Sequence, residues 1–171
     1  PTEYQLFIYD ISNRKTYPVI LDNLDGLNYI PEYTKDYPGK KYKNENRIGY
    51  ISGPFWSNDG KNAILNITSN DYKDRWIVLL NINDGTITNL DHQHDKAWIA
   101  GPGIGWFDNV SLGWMPDNKT IWFQSEKTGY SHLYTLNINN KIIKALTSGK
   151  FEIYNPKLSK DKKRWYFTSN K

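Results

Sequence analysis

Residues 80–90 read L-N-I-N-D-G-T-I-T-N-L, and residues 136–146 read L-N-I-N-N-K-I-I-K-A-L. Leu80, Ile82, Ile87 and Leu90 fall on Leu136, Ile138, Ile143 and Leu146 without a gap. A fainter third copy starts at Tyr9 (Y-D-I-S-N-R-K-T-Y-P-V). Apolar residues on both sides of a short polar stretch describe two strands joined by a tight turn.

A second unit recurs beside the first. Trp56-Ser-Asn-Asp59-Gly60, Trp114-Met-Pro-Asp117-Asn118 and Leu158-Ser-Lys-Asp161-Lys162 each lead into an apolar run: A-I-L-N-I, I-W-F-Q-S and W-Y-F-T-S. An Asp followed by Gly or Asn suits a turn with φ > 0, with the carboxylate accepting from nearby backbone N–H groups. Trp56 and Trp114 precede their Asp by the same three residues. That spacing predicts equivalent, buried places in successive units.

Asp117 and Asp161 are 44 residues apart, and a four-stranded propeller blade takes about 40–45. Asp59 and Asp117 are 58 apart, which leaves roughly 14 residues of insertion beyond one period. The pattern predicts an all-β chain that is part of a single β-propeller domain over 1–171. It parses into a half-blade at 4–19, a connection at 20–50, a blade at 51–90, an insertion at 91–110, a blade at 111–147 and a half-blade at 148–171. Apolar residues recur at period two and not 3.6, so helices are not expected. Whole propellers have 4–8 blades. Two blades and two halves are therefore expected to be a fragment, or one share of a ring built from several chains, and the open strand edges point to a homo-oligomer.

The composition agrees. Aromatic residues make up 15% of the chain, with 7 Trp and 13 Tyr, and such side chains fit pleated, half-buried surfaces. No apolar run approaches the ~18 residues of a membrane-spanning helix. Cysteine is absent, which excludes disulfides, thiolate metal sites and a cysteine nucleophile. The net charge is +4. A basic, aromatic chain can bind single strands of nucleic acid, but no recognition motif supports this, and a solvated basic surface over an aromatic core is the preferred reading.

Few motifs carry chemistry. Gly129-Tyr130-Ser131-His132-Leu133 approaches the G-x-S-x-G elbow of serine hydrolases but lacks the second glycine, and its place at the entry to a third strand suggests a structural role. The histidines, His92, His94 and His132, form no evident Ser–His–Asp set, so no catalytic residue is assigned. In Asp91-His92-Gln93-His94-Asp95 the two imidazoles share one face of an extended segment, yet further ligands are needed. Polar capping at a blade edge is the alternative, and no metal or cofactor is expected. Gly101-Pro-Gly103-Ile-Gly105 is followed by no phosphate-cradling helix and reads as a shaped loop.

Longer runs carry a resemblance. D-H-Q-H-D-K-A-W-I, G-W-F, F-Q-S-E-K-T-G-Y-S-H-L-Y at 123–134, A-L-T-S-G-K-F-E-I at 145–153 and N-D-Y-K-D-R-W-I-V-L-L at 70–80 resemble the N-terminal propeller of bacterial members of the dipeptidyl peptidase IV family. The resemblance implies a non-catalytic, substrate-gating segment of a periplasmic or secreted serine peptidase that releases X-Pro dipeptides. The nucleophile, acid and base would belong to a C-terminal α/β-hydrolase domain, through which a peptide substrate is engaged. It also implies that the loop at Gly105-Trp106-Phe107-Asp108 reaches substrate, with Phe107 flanking the peptide beyond the cleaved residues.

Two departures stand out. Asp108 takes the place of an arginine, and Glu3, Glu32, Glu45, Glu126 and Glu152 include no adjacent pair to grip a free amino terminus. A free-standing propeller of the TolB type, an interaction scaffold, shares the Trp-Ser-x-Asp-Gly repeat. The insertion at 91–110 favours the peptidase. With no base positioned beside a nucleophile, the isolated chain is expected not to cleave a chromogenic Gly-Pro amide. Turnover that survives further purification would overturn this.

Overall fold

The computed structural model describes residues 5–39, 47–105 and 110–171. β1 (Phe7–Asp10) and β2 (Lys15–Pro18) form an antiparallel hairpin. A connection with one 3-10 turn, Glu32–Asp36, leads to a sheet in which β3 (Ile48–Trp56), β4 (Ala63–Ser69), β5 (Asp74–Leu80) and β6 (Ile87–His94) each pair with the next. The same order follows in β7 (Leu112–Trp114), β8 (Thr120–Ser125), β9 (His132–Asn137) and β10 (Ile143–Ala145). β11 (Ile153–Leu158) and β12 (Trp165–Ser169) form a closing hairpin. The first strands of the two full sheets, β3 and β7, lie side by side, as they do around a propeller's axis. The chain is a partial β-propeller with two four-stranded antiparallel blades and two half-blades.

Burial explains the stacking. Every residue of β4 is buried, on both faces, as expected for a strand covered by neighbours on either side. One face of the first blade joins Leu65, Ile67, Trp76 and Val78 to Val19, Leu21, Leu24 and Leu27 of the preceding segment. The other joins Ile64 and Ile77 to Leu112, Trp114, Ile121 and Phe123 of the second blade.

Turn chemistry matches the sequence reading. Gly60, Asn118 and Lys162, each following its Asp, have φ of 69°, 53° and 61°. Asp117 Oδ1 accepts from the N–H groups of Lys119 and Thr120, and Asp161 Oδ1 accepts from that of Lys163. The other repeat is equally regular. Arg14, Gly85 and Lys141 are the sixth residues of the three copies, and all have positive φ (52°, 76° and 57°). A tight hairpin demands that conformation even where the sequence offers Arg or Lys.

Some details differ from expectation. β3 begins at Ile48, inside the stretch read as connection, and β6 continues to His94, inside the stretch read as insertion. β5 extends far enough to pair Trp76 with His92 and Asp74 with His94, so these polar residues remain in the sheet. The two tryptophans are equivalent in register, Trp56 opposite Ala63 and Trp114 opposite Ile121, but not in burial. Trp114 is 8% exposed and Trp56 51%. Trp114 lies against a complete blade and donates from Nε1 to Phe55 O (2.9 Å). The unit before Trp56 in sequence is the two-stranded β1–β2 hairpin. Trp114→Ala is expected to cost about 3–5 kcal/mol as a core deletion, read from urea unfolding.

Candidate functional site at the seam between blades

The crossover from β6 to β7 is pinned along the rim. Asp95 N donates to Lys73 O (2.9 Å) and Ile99 N to Tyr72 O (2.6 Å). Lys73 Nζ donates to the carbonyls of Lys96 and Ala97. Further on, Ala100 N donates to Glu126 Oε1 (3.0 Å) and Ser131 Oγ to Pro102 O (2.7 Å). The glycines permit this contact: a Cβ on Gly103 would lie 2.1 Å from Gln124 Oε1, and one on Gly101 2.5 Å from Glu126 Oε2. Ile104 then bridges Val110, so the chain leaves and returns at one narrow base. A Cβ on Gly105, at that base, would lie 3.3 Å from Asn66 Nδ2 of the first blade. Trp106, Phe107 and Asp108, the residues expected to reach substrate, lie outside the described residues.

Beneath this base, Arg75 is fully buried. Its Nε donates to Asn66 Oδ1 (2.6 Å) in its own blade, and its Nη1 donates to Gln124 O (2.6 Å) in the next. Burial pulls the guanidinium pKa down to about 10, against the opposing pull of the Asp91 and Glu126 charges, so it stays cationic at neutral pH. Nη2 has no hydrogen-bond partner. Gln124 continues the chain of contacts, donating from Nε2 to Ser131 Oγ (3.2 Å) and to Ile153 O (2.7 Å) of β11.

His92 and His94 do share a face, and both meet the same carboxylate oxygen. His92 Nε2 and His94 Nδ1 are each 2.8 Å from Asp74 Oδ1. Asp74 Oδ2 accepts from Arg47 Nη2 (2.5 Å), which also bonds Asp71 (3.0 Å). Burial favours the neutral acid, but hydrogen bonds from His92, Arg47 and His94, with the Arg47 charge, outweigh it and hold the Asp74 pKa at about 2. The imidazoles thus belong to an ionic cluster that fastens the connection before β3 to the rim. Among the described residues no group of three or more His, Cys, Asp or Glu is arranged to hold a metal ion.

Ser131 and His132 are not a nucleophile and base. Both are buried. Ser131 Oγ is engaged as above, and His132 contacts Thr147 Oγ1 (3.1 Å) and Gly149 O (3.0 Å). An open cavity of about 370 Å³ lies beside the crossover, lined by Asp91, Asp95, Glu126 and Lys127 among others. Burial, and then the Asp95 and Glu152 charges, raise the Glu126 pKa against the N–H groups of Ala100 and Gly101. Asp74, Arg75 and Glu126 were not singled out from sequence. The cue for the first two was a charged pair opening the apolar strand D-R-W-I-V-L-L.

The fold and rim define a blade-built scaffold that carries loops over one edge of a propeller. The sequence profile of the dipeptidyl peptidase IV (DPP IV) N-terminal region matches residues 2–171, and the chain belongs to that family. Among solved structures, a protein described as a dipeptidyl aminopeptidase IV from Bacteroides ovatus is similar over 96% of this chain and 22% of its own (18% identity, TM-score 0.64). TolB from Acinetobacter baumannii is similar over 98% of this chain and 32% of its own (18% identity, TM-score 0.52). Dipeptidyl peptidase 4 from Porphyromonas gingivalis is similar over 89% of this chain and 18% of its own (16% identity, TM-score 0.53). The chain thus spans a third or less of each, and these likenesses concern the fold. No curated protein matches the chain.

The Asp74 cluster sets an acid limit. Its folded pKa lies below the ordinary 3.8, so its contribution to stability is complete above that value and is lost as pH falls toward about 2. Asp74→Asn should lower the urea midpoint at neutral pH. It should also flatten the fall in midpoint between about pH 4 and pH 2, measured by fluorescence.

Proposed function

We propose that this chain is the non-catalytic, substrate-gating propeller segment of a serine dipeptidyl peptidase that releases N-terminal X-Pro dipeptides in the periplasm or outside the cell. The observation that carries the reading is the family match over residues 2–171. Peptide engagement would be shared with an α/β-hydrolase domain holding the Ser, Asp and His, consistent with the purely structural bonding of Ser131 and His132. On this reading Trp106, Phe107 and Asp108, which follow Gly105 in sequence, contact substrate, and Phe107 flanks the peptide beyond the cleaved residues. No helix among the described residues is long and apolar enough to cross a membrane.

A second reading is a TolB-like scaffold that binds a protein partner at the same rim. Its support is the TolB structure's likeness over 98% of the chain.

Activity decides between them. The segment joined to its hydrolase domain should cleave Gly-Pro-p-nitroanilide. Phe107→Ala should raise KM about five- to tenfold for peptides extending past the scissile bond while leaving kcat near wild type, the mark of lost uniform binding. Absence of turnover together with capture of a defined protein partner would favour the scaffold.

A further inference from the structure

Trp98 is 65% exposed, yet the backbone on either side of it is tethered. Ala97 N donates to Asp95 Oδ1 (2.6 Å), Ala97 O accepts from Lys73 Nζ (2.7 Å), and Ile99 N donates to Tyr72 O (2.6 Å). Ile99 itself is buried. The crossover therefore holds the indole out in solvent. A large side chain fixed in advance loses little conformational freedom on binding, and tryptophan is among the commonest anchors of interfaces.

The indole walls an open hollow of about 410 Å³ that also meets Asp95, Gly101 and Glu126. Asp95, Glu126 and Gly129 line the cavity that reaches Asp91 as well, so the two form one trough along the crossover. Its charge is unbalanced. The Asp91 side chain is only 9% exposed, and its Oδ2 accepts from Gln93 Nε2 (2.7 Å). Its Oδ1 accepts no hydrogen bond among the described residues. The Lys127 ammonium comes no nearer to it than 4.0 Å and lies over the Tyr134 ring (4.8 Å to the centroid). Arg75, beneath, spends Nε and Nη1 on Asn66 and Gln124. Glu126 is half-buried beside the charges of Asp95 and Glu152. Carboxylates withdrawn from water without a bonded cation are costly, and a cation supplied from outside relieves them.

We propose that this trough docks an arginine side chain of a partner peptide, with the guanidinium facing Asp91, Asp95 and Glu126 and the aliphatic stem along Trp98. A planar guanidinium bonds carboxylates and stacks on an indole at once. A bare divalent ion fits less well. No group of three or more His, Cys, Asp or Glu among the described residues is arranged to hold one, and an indole offers it no ligand atom. The inference rests on the rim alone and is independent of the peptidase reading.

Acetyl-Gly-Arg-Gly-amide carries a single charge, the guanidinium, and its blocked amino terminus keeps it out of a site that releases N-terminal dipeptides. Ligand-observed NMR with the full-length protein should show saturable binding with a Kd on the order of 1 mM. The citrulline peptide, of the same shape without the charge, should bind at least about tenfold more weakly. Raising NaCl from about 50 to about 500 mM should weaken the arginine peptide about threefold or more. Asp95→Asn keeps an acceptor for Ala97 N, and Trp98→Ala removes an exposed ring, so both should fold as the parent does by circular dichroism. Each should weaken binding about fivefold or more. No saturable binding up to about 20 mM peptide, equal binding of the citrulline peptide, or binding indifferent to both variants would each overturn the inference.

Discussion

Arg75 reaches across the seam between the blades, and the orientation of the rest follows from that crossing. A guanidinium buried without a bonded carboxylate is costly unless its donors are satisfied. Here Asn66 and the Gln124 carbonyl satisfy two of them from opposite sides of the interface. The apolar layer around Ile64, Ile77, Trp114 and Phe123 supplies most of the attraction, but it is non-directional. The polar contacts give it one register, since a small slide between blades would strand the charge. Gln124 then relays the constraint to β11, so three successive units are locked through two residues.

The loops over the rim take their positions from this frame. Glu126 and Ser131 belong to the second blade, Tyr72 and Lys73 to the first, and the crossover bonds all four. The Ile104–Val110 bridge and Gly105 are therefore placed by the blade interface as much as by their own sequence. Asp74 does similar work for the earlier connection, through Arg47 on one oxygen and two imidazoles on the other. One carboxylate receiving this many donors is held ionised despite its burial, which makes the rim a charged, ordered edge and not a fringe of solvated loops.

The blades were legible in sequence because their signals are local. Leu80 and Leu136, or Asp59 and Asp117, announce hairpin and turn geometry within a few residues, and the backbone at Arg14 and Lys141 follows the repeat although neither is glycine. Family membership was also legible, from runs longer than the repeat. Burial was not. Trp56 and Trp114 share a motif, but what covers each is a neighbouring unit that local spacing does not describe. The ionic cluster was hidden because Asp74 meets His94 only once β5 pairs with β6, and Arg47 only once the residue before β3 is bonded back to Asn70. With His92 and His94, Asp74 makes the polar stretch D-H-Q-H-D part of a fastening at the blade edge. The three residues nominated for substrate contact, Trp106, Phe107 and Asp108, lie outside the described residues.

Within each blade the hairpins are short, and their left-handed residues fix which side chains meet across the strands. An added residue there would flip a strand's inner and outer faces. The passages from β2 to β3 and from β6 to β7 carry no such restriction, because each joins an outer strand to the next inner one. Both run over the same rim, where Asp71 and Tyr72 meet them. Length can therefore change over evolution in the β6–β7 crossover, and in the β2–β3 passage beyond the core residues Val19, Leu21, Leu24 and Leu27. Relatives built on this frame can diverge in what they recognise while their blades remain superimposable.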